Sequence, residues 1–161
     1  YEIPIGEPDV KRRGRDLTIL TIGPTLYRAL DAAKRFQSEF GIECEVIDAR
    51  SIVPFNYAPV LESVRKTGRI IIASDACQRG SIINDFAENI SQMAFDDLDA
   101  PVTVLGARNW ITPVYELEKD FFPQADWFLD AYHQRICPLP NYTPTHGFTA
   151  AEDLRRGQMG V

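Results

Sequence analysis

Three isoleucines in a row, Ile70-Ile71-Ile72, stand between Gly68-Arg69 and Ala73-Ser74-Asp75. Successive residues of a strand point to opposite faces, so such a run is apolar on both. Strands of that kind belong inside a sheet covered on both sides, the usual setting of parallel strands. Parallel neighbours cannot be joined by a tight hairpin and need long crossovers, most often helices. The run therefore predicts a chain that alternates strand with helix, and the rest of the sequence agrees. Asp16–Gly23 is a β-rich apolar run stopped by Gly-Pro, and Leu26, Ala29, Leu30, Ala33, Phe36 and Phe40 then share one helical face. That helix ends at Gly41, Glu43–Asp48 reads as a second parallel strand, and a short helix with Pro59 in its first turn ends at Gly68. After the isoleucine strand, Ser81 opens a helix whose inner face is Ile82, Ile83, Phe86, Ala87, Ile90 and Ala94. Pro101–Leu105 is a further strand, Asn109–Tyr115 a loop, and a helix over Asp126–Ile136 buries Trp127, Phe128, Ala131 and Tyr132. The expectation is an α/β fold, a mostly parallel sheet with helices on both faces.

A chain of 161 residues suits one domain, and an apolar fraction of 45% suffices for a core. The net charge of −6 argues against a nucleic-acid binder, and the basic run Lys11-Arg12-Arg13-Gly14-Arg15 reads as a solvated edge. No apolar run is long enough to cross a bilayer and no signal peptide opens the chain, so a cytoplasmic location is expected. The absence of a starting methionine suggests a piece of a longer polypeptide. Cys44, Cys77 and Cys137 are odd in number and widely spaced, which suggests reduced thiols.

Chemistry is sparse. The stretch Asp75-Ala76-Cys77-Gln78-Arg79-Gly80 follows the isoleucine strand, where sites are often built, but one glycine does not make a phosphate cradle. Cys77 has no histidine near it in sequence to serve as its base, and reads as a packed thiol. His133 and Cys137 sit four apart on one helix, two ligands where zinc needs three or four. His146 lies in a tail without patterned partners. Asp48, with Arg50 after it, resembles a phospho-acceptor only until the first strand is seen to end Thr21-Ile22-Gly23, without an acidic pair. Asp96, Asp97 and Asp99 lack the glycine turn and distal glutamate of a calcium loop. The residues predict no catalytic, cofactor-binding or metal-ligating group in this chain.

Several stretches, in order, resemble one family. "IPIGEPDVKRRGRDLTILTIG" is similar to the opening of the C-terminal domain of transketolase-like thiamine-diphosphate enzymes, of the form IPxGxAxVxRxGxDxTIxxxG. "GIECEVIDARSIVPFN", "LESVRKTGRIII" and "AFDDLDAPVTVLGARNWITP" resemble later stretches of that domain. The last is closest to the beta subunits of 2-oxo acid dehydrogenase first components, the pyruvate, branched-chain and acetoin enzymes. The resemblance implies a three-layer α/β/α domain with a five-stranded sheet, one strand antiparallel, for which Val10–Arg13 is the candidate. It divides the chain into a linker and edge strand (1–16), the domain itself (17–137) and an extended arm (138–161) that packs on a neighbour or stays mobile.

In that family thiamine diphosphate and magnesium are held between two other domains, so the resemblance implies no cofactor and no catalysis for this piece alone. It implies an assembly role within an enzyme that decarboxylates a 2-oxo acid and passes the acyl group to lipoyl. The implied partners are the remaining domains or alpha subunit, further copies of the chain, and the subunit-binding domain of the acyltransferase core. Asp99, in Leu98-Asp99-Ala100-Pro101, matches the aspartate that contacts that domain in pyruvate dehydrogenase beta subunits. On its residues alone it is a solvated turn acid before a strand. The Asp75–Gly80 loop departs from the family, which usually carries an acid pair and several glycines there; here Ile82-Ile83 stand where glycines are expected. Two other readings remain at this point: the same domain of a transketolase or deoxyxylulose-phosphate synthase, and a freestanding interaction module.

Overall fold

The computed structural model describes residues 2–148. In chain order its elements are β1 (Asp9–Arg12), β2 (Leu17–Ile22), α1 (Thr25–Phe40), β3 (Cys44–Asp48), α2 (Ala58–Thr67), β4 (Ile70–Cys77), α3 (Ile82–Met93), β5 (Thr103–Ala107), α4 (Glu118–Phe121) and α5 (Ala125–Arg135). The strands form one sheet in the order β1-β3-β2-β4-β5. All neighbours are parallel except β1, which runs antiparallel to β3 and slips register between Val10 and Arg12.

The isoleucine run does what its pattern demands. Ile71 and Ala73 join Leu17, Ile19, Val46 and Leu105 beneath α1 and α5, while Ile70 and Ile72 join Leu20 and Ile47 beneath α2 and α3. Two helix layers therefore enclose the sheet, and the fold is the three-layer α/β/α arrangement with one antiparallel strand. On the α1/α5 side Phe36 and Tyr132 meet edge to face at 5.3 Å, a geometry that adds to simple burial. On the other side α2 is fastened by hydroxyls: Thr18 Oγ1 lies 2.7 Å from Ser63 Oγ and 2.8 Å from Thr67 Oγ1. Gly41 ends α1 with φ 70°, its N–H and that of Ile42 closing on the carbonyls of Gln37 and Phe36, the double bond of a left-handed helix stop.

Two features differ from the sequence expectation. Strand β4 runs on to Cys77, which pairs with Ala107 after an irregularity. The polar residues Ser74 and Asp75 suggest an end that the backbone does not take, because Gln78 still donates to the Ala107 carbonyl at 3.0 Å. The arm is the second. Residues 138–148 lie on their own domain, with Leu139 buried and Tyr142 edge-on to Phe40 of α1 at 5.8 Å. Residues 149–161 of that arm lie outside the described residues. Among the described residues no helix is long and apolar enough to cross a membrane.

Candidate interaction surface

Asp99 sits in the turn between a 3-10 segment (Phe95–Asp97) and β5. Its position is fixed from the end of α2. That helix stops at Gly68 with φ 67°, and the Gly68 carbonyl accepts the Asp99 N–H at 2.7 Å. The carboxylate then lies directly over Gly68, in the space a Cβ would occupy. Glycine is required twice here, for the left-handed backbone and for the room it leaves. Leu98 is packed against the α2/α3 core, so a buried neighbour and a backbone bond hold Asp99 in place while its side chain is exposed.

The electrostatics of this corner favour a cation. The C-terminal end of a helix carries a partial negative charge, and Asp99 stands at the end of α2. Asp96 is exposed beside it, and Asp97 is paired with Arg65 at 3.3 Å. No described residue donates to the Asp99 carboxylate. A positively charged group from outside would meet a placed, open acceptor together with exposed Phe95 and Met93.

The other residues singled out in the sequence are placed as follows. Asp48 Oδ1 accepts the Arg50 N–H at 3.2 Å, a turn contact, and Arg50 pairs with Asp9. His133 Nδ1 accepts the Leu139 N–H at 2.8 Å, so it anchors the start of the arm and does not converge with Cys137. All three cysteines are free, and burial pushes the Cys44 thiol up to about 12. Cys77 is half-buried in the β4 pairing; the His133 imidazole is engaged by the arm and that of His146 by Asp130. In the loop after it, Arg79 N–H bonds to Asn109 and Asn84 to the Gln78 carbonyl, a braced connection with the single glycine Gly80.

His146 has partners that sequence spacing did not show. Asp130, wholly buried on α5, accepts from five donors. Its Oδ1 takes the Tyr142 hydroxyl at 2.6 Å and the Thr145 N–H at 3.2 Å. Its Oδ2 takes the Thr145 hydroxyl at 2.9 Å and both the N–H and Nδ1 of His146 at 3.0 Å. Burial pushes the Asp130 carboxyl up, but the bonds from His146, Tyr142 and Thr145 outweigh it and hold the group below its ordinary value. The acceptor is itself felt by Tyr142, whose hydroxyl is pushed well up by burial and by Asp130. Asp126, Asp130 and His146 form the one group among the described residues with three possible metal-ligand atoms close together. Its central carboxylate is already saturated with donors, which suits an internal lock and not a cation site.

A cleft of about 500 Å³ opens where β2 and β4 end, between Arg28, Asp75, Tyr115, Glu116, Glu118 and Lys119. Open sheets often take ligands at such a point, but three carboxylates against two cations do not make a diphosphate cradle. The lining of this cleft thus does not suit the diphosphate of thiamine diphosphate.

The fold and these placements define the chain as a three-layer α/β/α domain. The profile of the family "Transketolase, C-terminal domain" matches residues 6–127, and the chain belongs to that family. Curated relatives are beta subunits. The acetoin:2,6-dichlorophenolindophenol oxidoreductase subunit beta of Bacillus subtilis (strain 168) is 39% identical over 127 residues, 78% of this chain and 37% of the relative. The 2-oxoisovalerate dehydrogenase subunit beta of the same organism is 38% identical over 128 residues, 78% of this chain and 39% of the relative. The pyruvate dehydrogenase E1 component subunit beta of Rhizobium meliloti (strain 1021) is 33% identical over 132 residues, 81% of this chain and 28% of the relative. The chain thus spans well under half the length of these proteins. Among solved structures, a split gene transketolase described as an inactive beta4 tetramer superposes with a TM-score of 0.69 at 25% identity, covering 84% of this chain and 43% of that one.

Proposed function

We propose that this chain is the C-terminal assembly domain of a thiamine-diphosphate-dependent 2-oxo acid dehydrogenase of the beta-subunit type. The whole enzyme would decarboxylate a 2-oxo acid oxidatively and transfer the acyl group to lipoyl, while this domain packs subunits together and docks the acyltransferase core. The observation that carries the reading is the kinship, at 33–39% identity, with beta subunits of an acetoin oxidoreductase, a 2-oxoisovalerate dehydrogenase and a pyruvate dehydrogenase E1 component. Thiamine diphosphate and magnesium belong to the other domains of that enzyme, and the subunit partners are the remaining domains or alpha subunit and further copies of the chain.

Within this reading Asp99 is the partner-binding residue. A rim carboxylate that is placed by its own backbone and left open steers a basic partner and sets its register. The subunit-binding domain of the acyltransferase, presenting Arg or Lys, is the partner it suits.

Titration calorimetry tests both halves. The chain with thiamine diphosphate and magnesium should give no heat of binding; saturable micromolar binding would overturn the assignment of the cofactor to other domains. The same instrument, with the acyltransferase subunit-binding domain as titrant, should show binding that weakens as salt is raised. Failure to bind at low salt would remove the docking role.

A further inference from the structure

The cleft at the ends of β2 and β4 lies where the connections of the sheet part. From β2 the chain passes through α1 to β3 on one side, and from β4 through α3 to β5 on the other. Ligands of open α/β sheets bind in the crevice outside such a point. Gly23, with φ 72°, turns the chain from β2 into α1 without a side chain, and a Cβ there would come within 3.4 Å of the Asp75 carboxylate. Asp75 is exposed, and the contact described for its carboxylate is a long one, with Ser74 Oγ at 3.4 Å. The volume of about 500 Å³ falls within the range of small-molecule sites, roughly 300–1,000 Å³.

The charges around this cleft are gathered and left apart. On one wall stands the N-terminus of α1, which no side chain caps and which has no acid in its first turn, so its partial positive charge adds to that of Arg28. Glu116, Glu118 and Lys119 come from the 3-10 turn (Tyr115–Leu117) and short α4 of the other wall. Among the described residues none of Arg28, Asp75, Glu116, Glu118 and Lys119 forms an ion pair. Elsewhere on α1 charges do pair, Lys34 with Asp31 at 2.9 Å and Arg35 with Glu39 at 2.7 Å. Opposite charges that line one cavity without meeting suit a ligand that carries both signs. Three carboxylates against two cations leave the lining with one negative charge in excess, so the ligand that balances it carries one positive charge more than negative.

We propose that the cleft binds a free α-amino acid with a basic side chain, of the lysine or arginine kind. Its carboxylate is directed to Arg28 and the start of α1, where a charge-assisted bond and the helix dipole both favour an anion. Its α-ammonium is directed to Asp75 on the floor. Its side chain runs along Phe122 and Pro123 and brings the second cation to Glu116 and Glu118, beside the exposed ring of Tyr115, whose face attracts cations. A ligand with only anionic groups would meet three carboxylates, and a diamine would leave Arg28 and the α1 terminus unanswered. The inference does not rest on the dehydrogenase reading, which makes no use of this cleft.

The test is a titration of the full chain followed by the amide chemical shifts of Thr25 and Asp75. The probes are L-lysine, L-arginine, cadaverine, which lacks the carboxylate, and norleucine, which lacks the side-chain ammonium. The two basic amino acids should bind saturably with Kd of about 1 mM or tighter, and cadaverine and norleucine roughly tenfold or more weaker. Arg28→Gln should weaken lysine by about tenfold and leave cadaverine unchanged. Glu116→Gln combined with Glu118→Gln should remove the preference for lysine over norleucine. These side chains are exposed, and circular dichroism verifies the fold; should a variant fail to fold, the probe series on the unaltered chain decides alone. The proposal is overturned by no saturable shift with lysine or arginine up to about 10 mM, or by cadaverine or norleucine binding as tightly as lysine. Unchanged lysine affinity in folded Arg28→Gln overturns it equally.

Discussion

Asp130 and Asp99 are the same side chain put to opposite uses. Asp130 is sealed inside, every lone pair occupied by donors from the arm. Asp99 is outside, its backbone fastened to Gly68 and its carboxylate left open. The difference lies in what each constrains. Burial with several donors makes a carboxylate hold distant parts of one chain together. An anchored backbone with a free side chain makes it available to another molecule.

The largest effect is expected where the buried partner is broken. Asp130→Asn keeps the shape but sets an amide donor against the donors of Tyr142, Thr145 and His146. It should cost roughly 2–4 kcal/mol of unfolding free energy, the range for stranding buried polar groups, measured by urea denaturation. A loss below about 0.5 kcal/mol, the scale of an ordinary surface change, would erase the contrast with Asp99.

Acid sharpens the same comparison. Because the folded-state pKa of Asp130 lies below the ordinary 3.8, its contribution is fully present above that value. It is lost as pH falls through the folded pKa. Arm closure, followed by Trp127 fluorescence, should be flat from neutral pH to about 5 and fall only below about 4. Release at pH 6 would mean that a different group holds the arm.

A change at Gly68 acts on the other carboxylate through its support. Gly68→Ala places a Cβ where the Asp99 side chain lies and forces an alanine into the left-handed region. The backbone part costs about 1–2 kcal/mol. The steric part is relieved by swinging Asp99 aside, so thermal denaturation should register the first and partner binding the second. If binding is unchanged in Gly68→Ala, Asp99 is not the group that binds.

Much of the fold is written in local patterns. The isoleucine run, the helical spacing of Ala29, Ala33 and Phe36, and the stops at Gly41 and Gly68 each follow from a period or a backbone preference that neighbours in sequence reveal. The antiparallel β1 was legible only through the family resemblance, since three of its four residues are charged and show no strand-like alternation. The Asp130 lock left no trace. Its donors lie 12 to 16 residues downstream in a segment without periodicity, and a lone helix aspartate reads as a solvated one. Asp99 stands out in the sequence by its match to Leu-Asp-Ala-Pro, but its seat over Gly68 is a contact across 31 residues that no short motif encodes.

The smallest effect on stability, and the sharpest on recognition, belongs to Asp99→Lys. Its carboxylate makes no bond that folding would lose, so the unfolding free energy should move by no more than about 0.5 kcal/mol in either direction. Removing a repulsion at the negative end of α2 could even place the change on the stabilising side. Affinity for the acyltransferase subunit-binding domain should nonetheless fall at least tenfold, about 1.4 kcal/mol, because a cation now faces a cation. The loss should appear mainly in the association rate and shrink as salt screens the approach. A salt-independent loss would instead point to packing of Phe95 and Met93, and equal affinity would leave Asp99 a solvated turn acid.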